Sequence, residues 1–194
     1  MIAHIQGKLV EKNPAYAVLE CNGVGYHLNI SLNTYSALPD NEDCKLYTKL
    51  IVREDAQELY GFHSREEREI FLNLIAVSGV GANTGIMILS SLNPDEVRNA
   101  IAEGDTNTLK NIKGIGARSA QRIIVDLKDK IGKQENISES TTSQSNTLKN
   151  EALSALIALG IPDQKAEKTL KEVTRKQNKD ISVEQLVKLT LKKL

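Results

Sequence analysis

Two short stretches of the chain repeat a glycine–apolar–glycine pattern, and this pattern could bind an anion. They read SGVGANTG, from Ser78 to Gly85, and NIKGIGARSAQR, from Asn111 to Arg122. A helix-like pattern precedes and follows each pair of glycines. Glycine permits positive φ and close approach of another backbone, while the apolar residue between the glycines can enter the core. The N–H groups that begin the next helix then point outward, where they and the helix dipole favour a phosphate.

The second stretch also carries an unbalanced group of cations. Between Thr106 and Val125 there are several lysines and arginines and no carboxylate. Two such hairpins in one domain could bind two backbone positions of a DNA duplex without reading its bases. The alternative is that the glycines form ordinary inter-helix turns and the cations are solvated. The predicted phosphate-binding residues are Gly79, Gly81, Asn83, Lys110, Lys113, Gly114, Gly116, Arg118 and Arg122.

Composition limits the other functions that the chain could have. Its 194 residues are 40% hydrophobic and 26% charged, with a formal net charge of zero, so anion binding must arise from local arrangement. Cys21 and Cys44 lack metal spacing, and no P-loop motif occurs. We therefore expect no catalytic residues, metal or cofactor. No signal-peptide core or bilayer-length apolar run is present, which favours a cytoplasmic protein without a membrane partner.

The hydrophobic pattern divides the chain into pieces. Residues 1–62 read as about five short strands, which predict a small barrel or a tight sandwich. SREE predicts a capping box between Ser64 and Glu67 at the start of a helical region over 63–131. Residues 132–147 are almost entirely polar or small, so we expect a flexible linker there. Three helices follow over 148–194, the last opening with a second capping box, SVEQ.

Several stretches make the chain similar to the RuvA family of Holliday-junction-binding proteins, and the resemblance spans the whole chain. They are VREDAQELYGF (Val52–Phe62), CNGVGYHLNI and GIGARSAQRIIVDLKDK. The resemblance implies an α+β multidomain protein. Its parts would be an N-terminal OB-like β-barrel (1–62), a tandem helix-hairpin-helix domain (63–131), the flexible linker (132–147) and a C-terminal three-helix UBA-like bundle (148–194).

The same resemblance implies partners and an activity. The chain would be a non-catalytic subunit that binds four-way junction DNA in recombination and repair, and its third domain would bind the RuvB ATPase hexamer. The subunits would form a homotetramer. Whether one tetramer or two bind the junction, and whether the RuvC resolvase is a further partner, stays open.

Two sets of residues receive roles from this resemblance. Glu54 and Asp55 would form an acidic pin at the tetramer centre, where their charge repels phosphates and directs the strands outward; the alternative is a solvated hairpin tip. Leu156, Leu159 and Ile161 would form an apolar edge that binds the motor; the alternative is that they are core. The chain departs from the family at Ala82 and Asn83, where Pro-Lys is common, so the first hairpin would bind phosphate more weakly.

Two other functions fit parts of the sequence. A helix-hairpin-helix glycosylase or nuclease would need a pocket for a flipped base and a catalytic Lys or Asp beside it. A single-strand binder could stack bases on the tyrosines, all five of which lie in residues 1–62.

Overall fold

The computed structural model describes the backbone of residues 2–40, 42–138, 144–175 and 181–194, and side chains outside 129–147 and 175–180. The chain divides into two compact units, Met1–Ile131 and Gly132–Leu194. No helix among the described residues is long and apolar enough to cross a membrane.

The N-terminal strands close into a barrel, which confirms one of the two predicted architectures and excludes the sandwich. Neighbouring strands pair in the order β1-β2-β3-β5-β4, and all pairs are antiparallel except β3 with β5. Alternate side chains point inward and form a core that includes Ile5, Leu9, Leu19 and Leu46. The strands are β1 (His4–Lys12), β2 (Tyr16–Cys21), β3 (Val24–Ile30), β4 (Asp43–Val52) and β5 (Gln57–Phe62).

A short helix, α1 (Leu32–Ala37), lies between β3 and β4 and was not expected from the sequence. The Ser31 hydroxyl caps it by accepting the Thr34 N–H at 3.0 Å. Six residues are too few to show a helical period, so the hydrophobic pattern gave no signal for this helix.

Five helices follow the barrel and enclose a second core. Asn93 and Glu96 form a full capping box at the start of α4, since each side chain accepts the other residue's N–H. The ring of Phe71 packs against Phe62 and Tyr60 of β5, with centroids 4.8 and 5.2 Å apart, so this core is continuous with the outer face of the barrel. The helices are α2 (Arg65–Ala76), α3 (Ala82–Ser91), α4 (Pro94–Glu103), α5 (Thr106–Lys110) and α6 (Ala117–Ser138).

The predicted capping box at the start of α2 is only half present. Ser64 accepts the N–H of Glu67 at 3.1 Å, as a cap should. The Glu67 carboxylate, however, does not return to Ser64. It is 3% exposed and accepts hydrogen bonds from Ser31 and, at 2.7 Å, from Thr34. Glu67 thus connects α2 to α1 of the barrel instead of closing its own helix end.

The second unit is a bundle of α7 (Gln144–Ala158), α8 (Asp163–Arg175) and α9 (Val183–Lys193). Ala152, Leu156, Leu170 and Leu186 are among its core residues. The capping box of SVEQ is confirmed between Ser182 and Gln185. The linker predicted over 132–147 overlaps the end of α6 and the start of α7, and residues 139–143 lie outside the described residues, so its flexibility stays a prediction.

Glu67→Ala should destabilise the first unit by about 2–4 kcal/mol, because two buried hydroxyls would lose their acceptor. The free energy of unfolding from urea titration measures this. Glu69→Ala is the control, since Glu69 lies on the same helix but is exposed. Equal stability of the two variants would contradict a structural role for the buried carboxylate.

Candidate nucleic-acid interface

The two glycine-containing stretches form hairpins with the same backbone geometry. The first hairpin is Val77–Gly81 and the second is Ile112–Gly116. Gly79 and Gly114 occupy the same position in each and both have φ of +89°, a left-handed conformation that favours glycine. Because the repeat extends to backbone angles, the two stretches are one motif used twice.

An apolar side chain fixes each hairpin in the shared helical core. Val80 is 5% exposed and Ile115 is 4% exposed, and their N–H groups bond to the carbonyls of Val77 and Ile112 at 3.0 and 3.1 Å. The following glycine then begins the next helix. Gly81 caps α3 without any side-chain hydrogen bond, so the first-turn N–H groups of α3 remain available to an external anion.

All nine residues predicted to bind phosphate are exposed. Asp105 fixes the short helix that leads to Lys110, because it accepts the N–H groups of Asn107 and Thr108. Hydrogen bonds from the side chain and backbone of Thr108 hold the pKa of Asp105 below its usual value. Lys110, Lys113 and Arg118 form no ion pair within the described part of the chain. Their charge is therefore available to a phosphate.

Two of the predicted residues have neighbours that the sequence did not indicate. The Nε of Arg122 lies 3.8 Å from Oδ2 of Asp126, one turn further along α6, so its charge is partly offset. The Oδ1 of Asn83 lies 3.5 Å from the hydroxyl of Tyr60. Burial of this hydroxyl and the nearby Glu58 carboxylate raise the pKa of Tyr60 to about 12. The first hairpin thus has no cation, and its amide is partly directed towards the barrel. The groups that it offers to an anion are mainly backbone N–H donors.

Glu54 and Asp55 lie at the tip of the β4–β5 hairpin and are both exposed. The Arg53 N–H bonds to the Ala56 carbonyl at 2.8 Å and closes the turn. The guanidinium of Arg53 lies 3.5 Å from the Glu58 carboxylate, a contact that the sequence did not predict. The hairpin therefore presents two carboxylates to solvent from a turn that this hydrogen bond closes.

Every tyrosine ring of the barrel already has a partner within the chain, which leaves few surfaces for base stacking. Tyr60 is 1% exposed. The other rings pack as follows: Tyr16 stacks on His27 at 4.5 Å, Tyr26 packs against the barrel core, Lys12 lies over Tyr35, and three cations surround Tyr47.

Comparison with known proteins covers almost the whole chain. The family described as "RuvA N terminal domain" matches residues 1–61, "SAM-like Helix-hairpin-helix tandem" matches 71–129, and "RuvA, C-terminal domain" matches 147–194. The protein named "Holliday junction branch migration complex subunit RuvA" from Christiangramia forsetii is 53% identical over 100% of both chains. Those of the same name from Flavobacterium psychrophilum and Bacteroides thetaiotaomicron are 52% and 48% identical, again over 100% of both chains.

The chain belongs to the RuvA family. The barrel, the tandem hairpins and the three C-terminal helices match the domain order of that family, as the sequence predicted.

Of the three apolar residues predicted to bind a motor in this RuvA-family chain, one is exposed. Leu156 is 0% exposed in the core of the second unit, so it offers no surface to a partner. Ile161 packs back on the same core, because Gly160 has φ of +87° and the Ile161 N–H bonds to the Leu156 carbonyl at 3.1 Å. Leu159 is 62% exposed, and Ile157, which the sequence analysis did not single out, is 44% exposed.

Alanine at the two glycines of the second hairpin should have different effects on folding. Gly114→Ala should lower the free energy of unfolding by about 1–2 kcal/mol, because Gly114 adopts a left-handed backbone conformation. Gly116→Ala should cost less than about 0.5 kcal/mol, since a Cβ there meets no atom within 4 Å. Urea titration of both variants measures this, and a large loss at Gly116 would contradict the open geometry of the hairpin.

Proposed function

We propose that the chain binds four-way DNA junctions and acts, without catalysing a reaction itself, as a subunit of a branch-migration complex in the cytoplasm. The observation that carries this proposal is the pair of geometrically matching hairpins on one core, in a chain whose relatives are named as subunits of such a complex. A separate ATPase of the RuvB type would supply the motor.

The hairpins would bind the phosphate backbone and not the bases. Backbone N–H groups at the start of α3 and α6 would each take one phosphate oxygen, and the open position at Gly116 would let the DNA backbone approach closely. Lys110, Lys113 and Arg118 would add charge at the second hairpin. Such contacts fix the position of an arm and carry no sequence information, which suits a protein that must follow a moving junction.

The acidic pair would supply the preference for a junction. In a homotetramer the four copies of Glu54 and Asp55 would lie around one axis, where four DNA arms diverge. Their charge repels phosphates, so strands would be directed outward into the arms. A continuous duplex offers no opening at that point and would be penalised more, which makes the pair a specificity device and not a source of affinity.

The three-helix unit would bind the motor through its exposed apolar side chains. Leu159 and Ile157 are the exposed apolar residues at the end of α7, and they lie next to the Gly160 turn. A protein partner could bury the apolar surface of these two large side chains. We place the motor contact at this end of the bundle.

Arg118→Ala should lower the slope of log affinity against log salt concentration by about one phosphate contact, for both junction and linear duplex. Fluorescence anisotropy with labelled DNA at several salt concentrations measures it. Arg98→Ala is the matched control, because it removes the same charge from an arginine that is already paired. The Nη1 of Arg98 lies 2.9 Å from Oδ1 of Asp95. A slope that does not change would remove Arg118 from the DNA contact.

Glu54→Gln combined with Asp55→Asn should raise affinity for linear duplex and narrow the preference for the junction, because repulsion of the duplex is lost. Titration of both DNA forms at two salt concentrations measures the ratio of affinities. The control is Glu20→Gln with Asp43→Asn, which removes the same charge from exposed positions elsewhere on the barrel. If the ratio stays at the wild-type value, the pair is a solvated hairpin tip.

A further inference from the structure

Three cations surround one tyrosine ring on the outer face of the barrel. None of these residues belongs to either hairpin. The Nζ of Lys45 lies 5.3 Å from the centroid of Tyr47, and the guanidinium carbons of Arg65 and Arg68 lie at 5.4 and 5.8 Å. These four residues, the Tyr47 cluster, come from strand β4 and helix α2. His4, directly opposite Tyr47 in the register of β1 and β4, belongs to the same exposed face.

The cluster is only partly compensated from within the chain, because the Glu66 carboxylate interacts electrostatically with Arg65. None of its three cations has a carboxylate within 4.0 Å among the described residues. Glu66 is adjacent in sequence to Arg65, and Glu67 and Glu69 are adjacent to Arg68. The Glu67 carboxylate is buried and accepts hydrogen bonds from Ser31 and Thr34 instead. Lys12 shows the contrast: it also lies over a tyrosine ring, that of Tyr35, but it is paired with Asp40 at 3.0 Å.

The position of the cluster increases its positive potential. Arg65 is the first residue of α2, where the helix dipole is positive and a cation is disfavoured, although the same turn carries Glu66 and Glu67. The Nη1 of Arg68 donates to the Ala3 carbonyl at 3.1 Å, while its Nε is buried without an acceptor in the described structure. Like charges gathered at a positive helix end lower stability unless an anion compensates them, and such local conflicts are expected at functional sites.

We infer that the Tyr47 cluster is a further contact for the phosphate backbone of DNA, separate from the two hairpins. A guanidinium can take two phosphate oxygens at once, and the tyrosine ring supports the guanidinium groups as a platform. The inference rests on the proposed function, because it takes the ligand of this surface to be the same nucleic acid.

The distance along α2 makes this contact independent of the first hairpin. Arg65 and Arg68 lie in the first four residues of the 12-residue helix, and the hairpin follows its last residue. The eight residues of α2 that follow Arg68 span about 12 Å. This exceeds the screening length of about 8 Å at physiological salt. The two sites would therefore bind different phosphates.

The test is Lys45→Gln combined with Arg65→Gln, since both side chains are exposed and make no hydrogen bond within the described residues. We expect affinity for four-way junction and linear duplex to fall about threefold to tenfold at low salt, with a salt slope smaller by about one or two contacts. Lys45→Arg combined with Arg65→Lys keeps the charge and should bind nearly as wild type. Urea titration confirms that each variant is folded.

The charge-matched control is Lys168→Gln combined with Lys192→Gln, which removes two exposed cations from the C-terminal unit. An equal loss of affinity in this control would overturn the inference, because net charge alone would explain it. Unchanged DNA binding by the cluster variant would also overturn the inference. If that variant binds DNA normally but no longer stimulates the motor, the cluster would instead bind an acidic protein partner. If the wild type binds duplex without any preference for the junction, the proposed function is wrong. The comparison of the cluster variant with the wild type on linear duplex still tests the inference in that case.

Discussion

The buried carboxylate of Glu67 is the interaction on which the arrangement of the first unit depends. It lies on the helix that leads into the first hairpin, and its acceptor oxygens are taken by Ser31 and Thr34 at the start of the barrel helix. Thr34 in turn accepts the His63 N–H at 3.0 Å, so the point where the chain leaves the barrel is fixed as well. A buried charge is tolerated only with such partners. These hydrogen bonds hold the start of α2 in its orientation on the barrel.

This orientation has a functional consequence, because the barrel carries the acidic pair and the helices carry the hairpins. A protein that repels DNA at one point and binds it at others needs a constant separation between the two. The Phe71 contacts with Tyr60 and Phe62 continue the same join as an apolar core. In the proposed function, repulsion and attraction would thus act from one unit, and a flexible join would let the DNA avoid the carboxylates.

Local patterns in the sequence predicted most of the elements, and failures occurred where partners are distant along the chain. The glycines of the hairpins and the capping box at Ser182 depend on interactions within a few residues, and the sequence predicted them. Glu67 matched a capping box by spacing, but its partners lie 33 and 36 residues away. The Tyr47 cluster joins a strand to a helix, so no spacing could indicate it. Periodicity also could not separate buried Leu156 from exposed Leu159, because both fall near the end of one helix.

The structure also explains how a chain of zero net charge could bind a polyanion. In the C-terminal unit several lysines form ion pairs with glutamates, such as Lys171 with Glu167 and Lys188 with Glu184. In the first unit the second hairpin and the Tyr47 cluster keep unpaired cations. Ion pairs also occur in the first unit, such as Lys12 with Asp40 and Arg98 with Asp95, so pairing differs between surfaces and not between the two units. Unpaired cations release counterions on binding phosphate, whereas paired ones gain little. In the proposed function, the distribution of ion pairs, and not the net charge, would therefore set where DNA binds and how strongly salt weakens the binding.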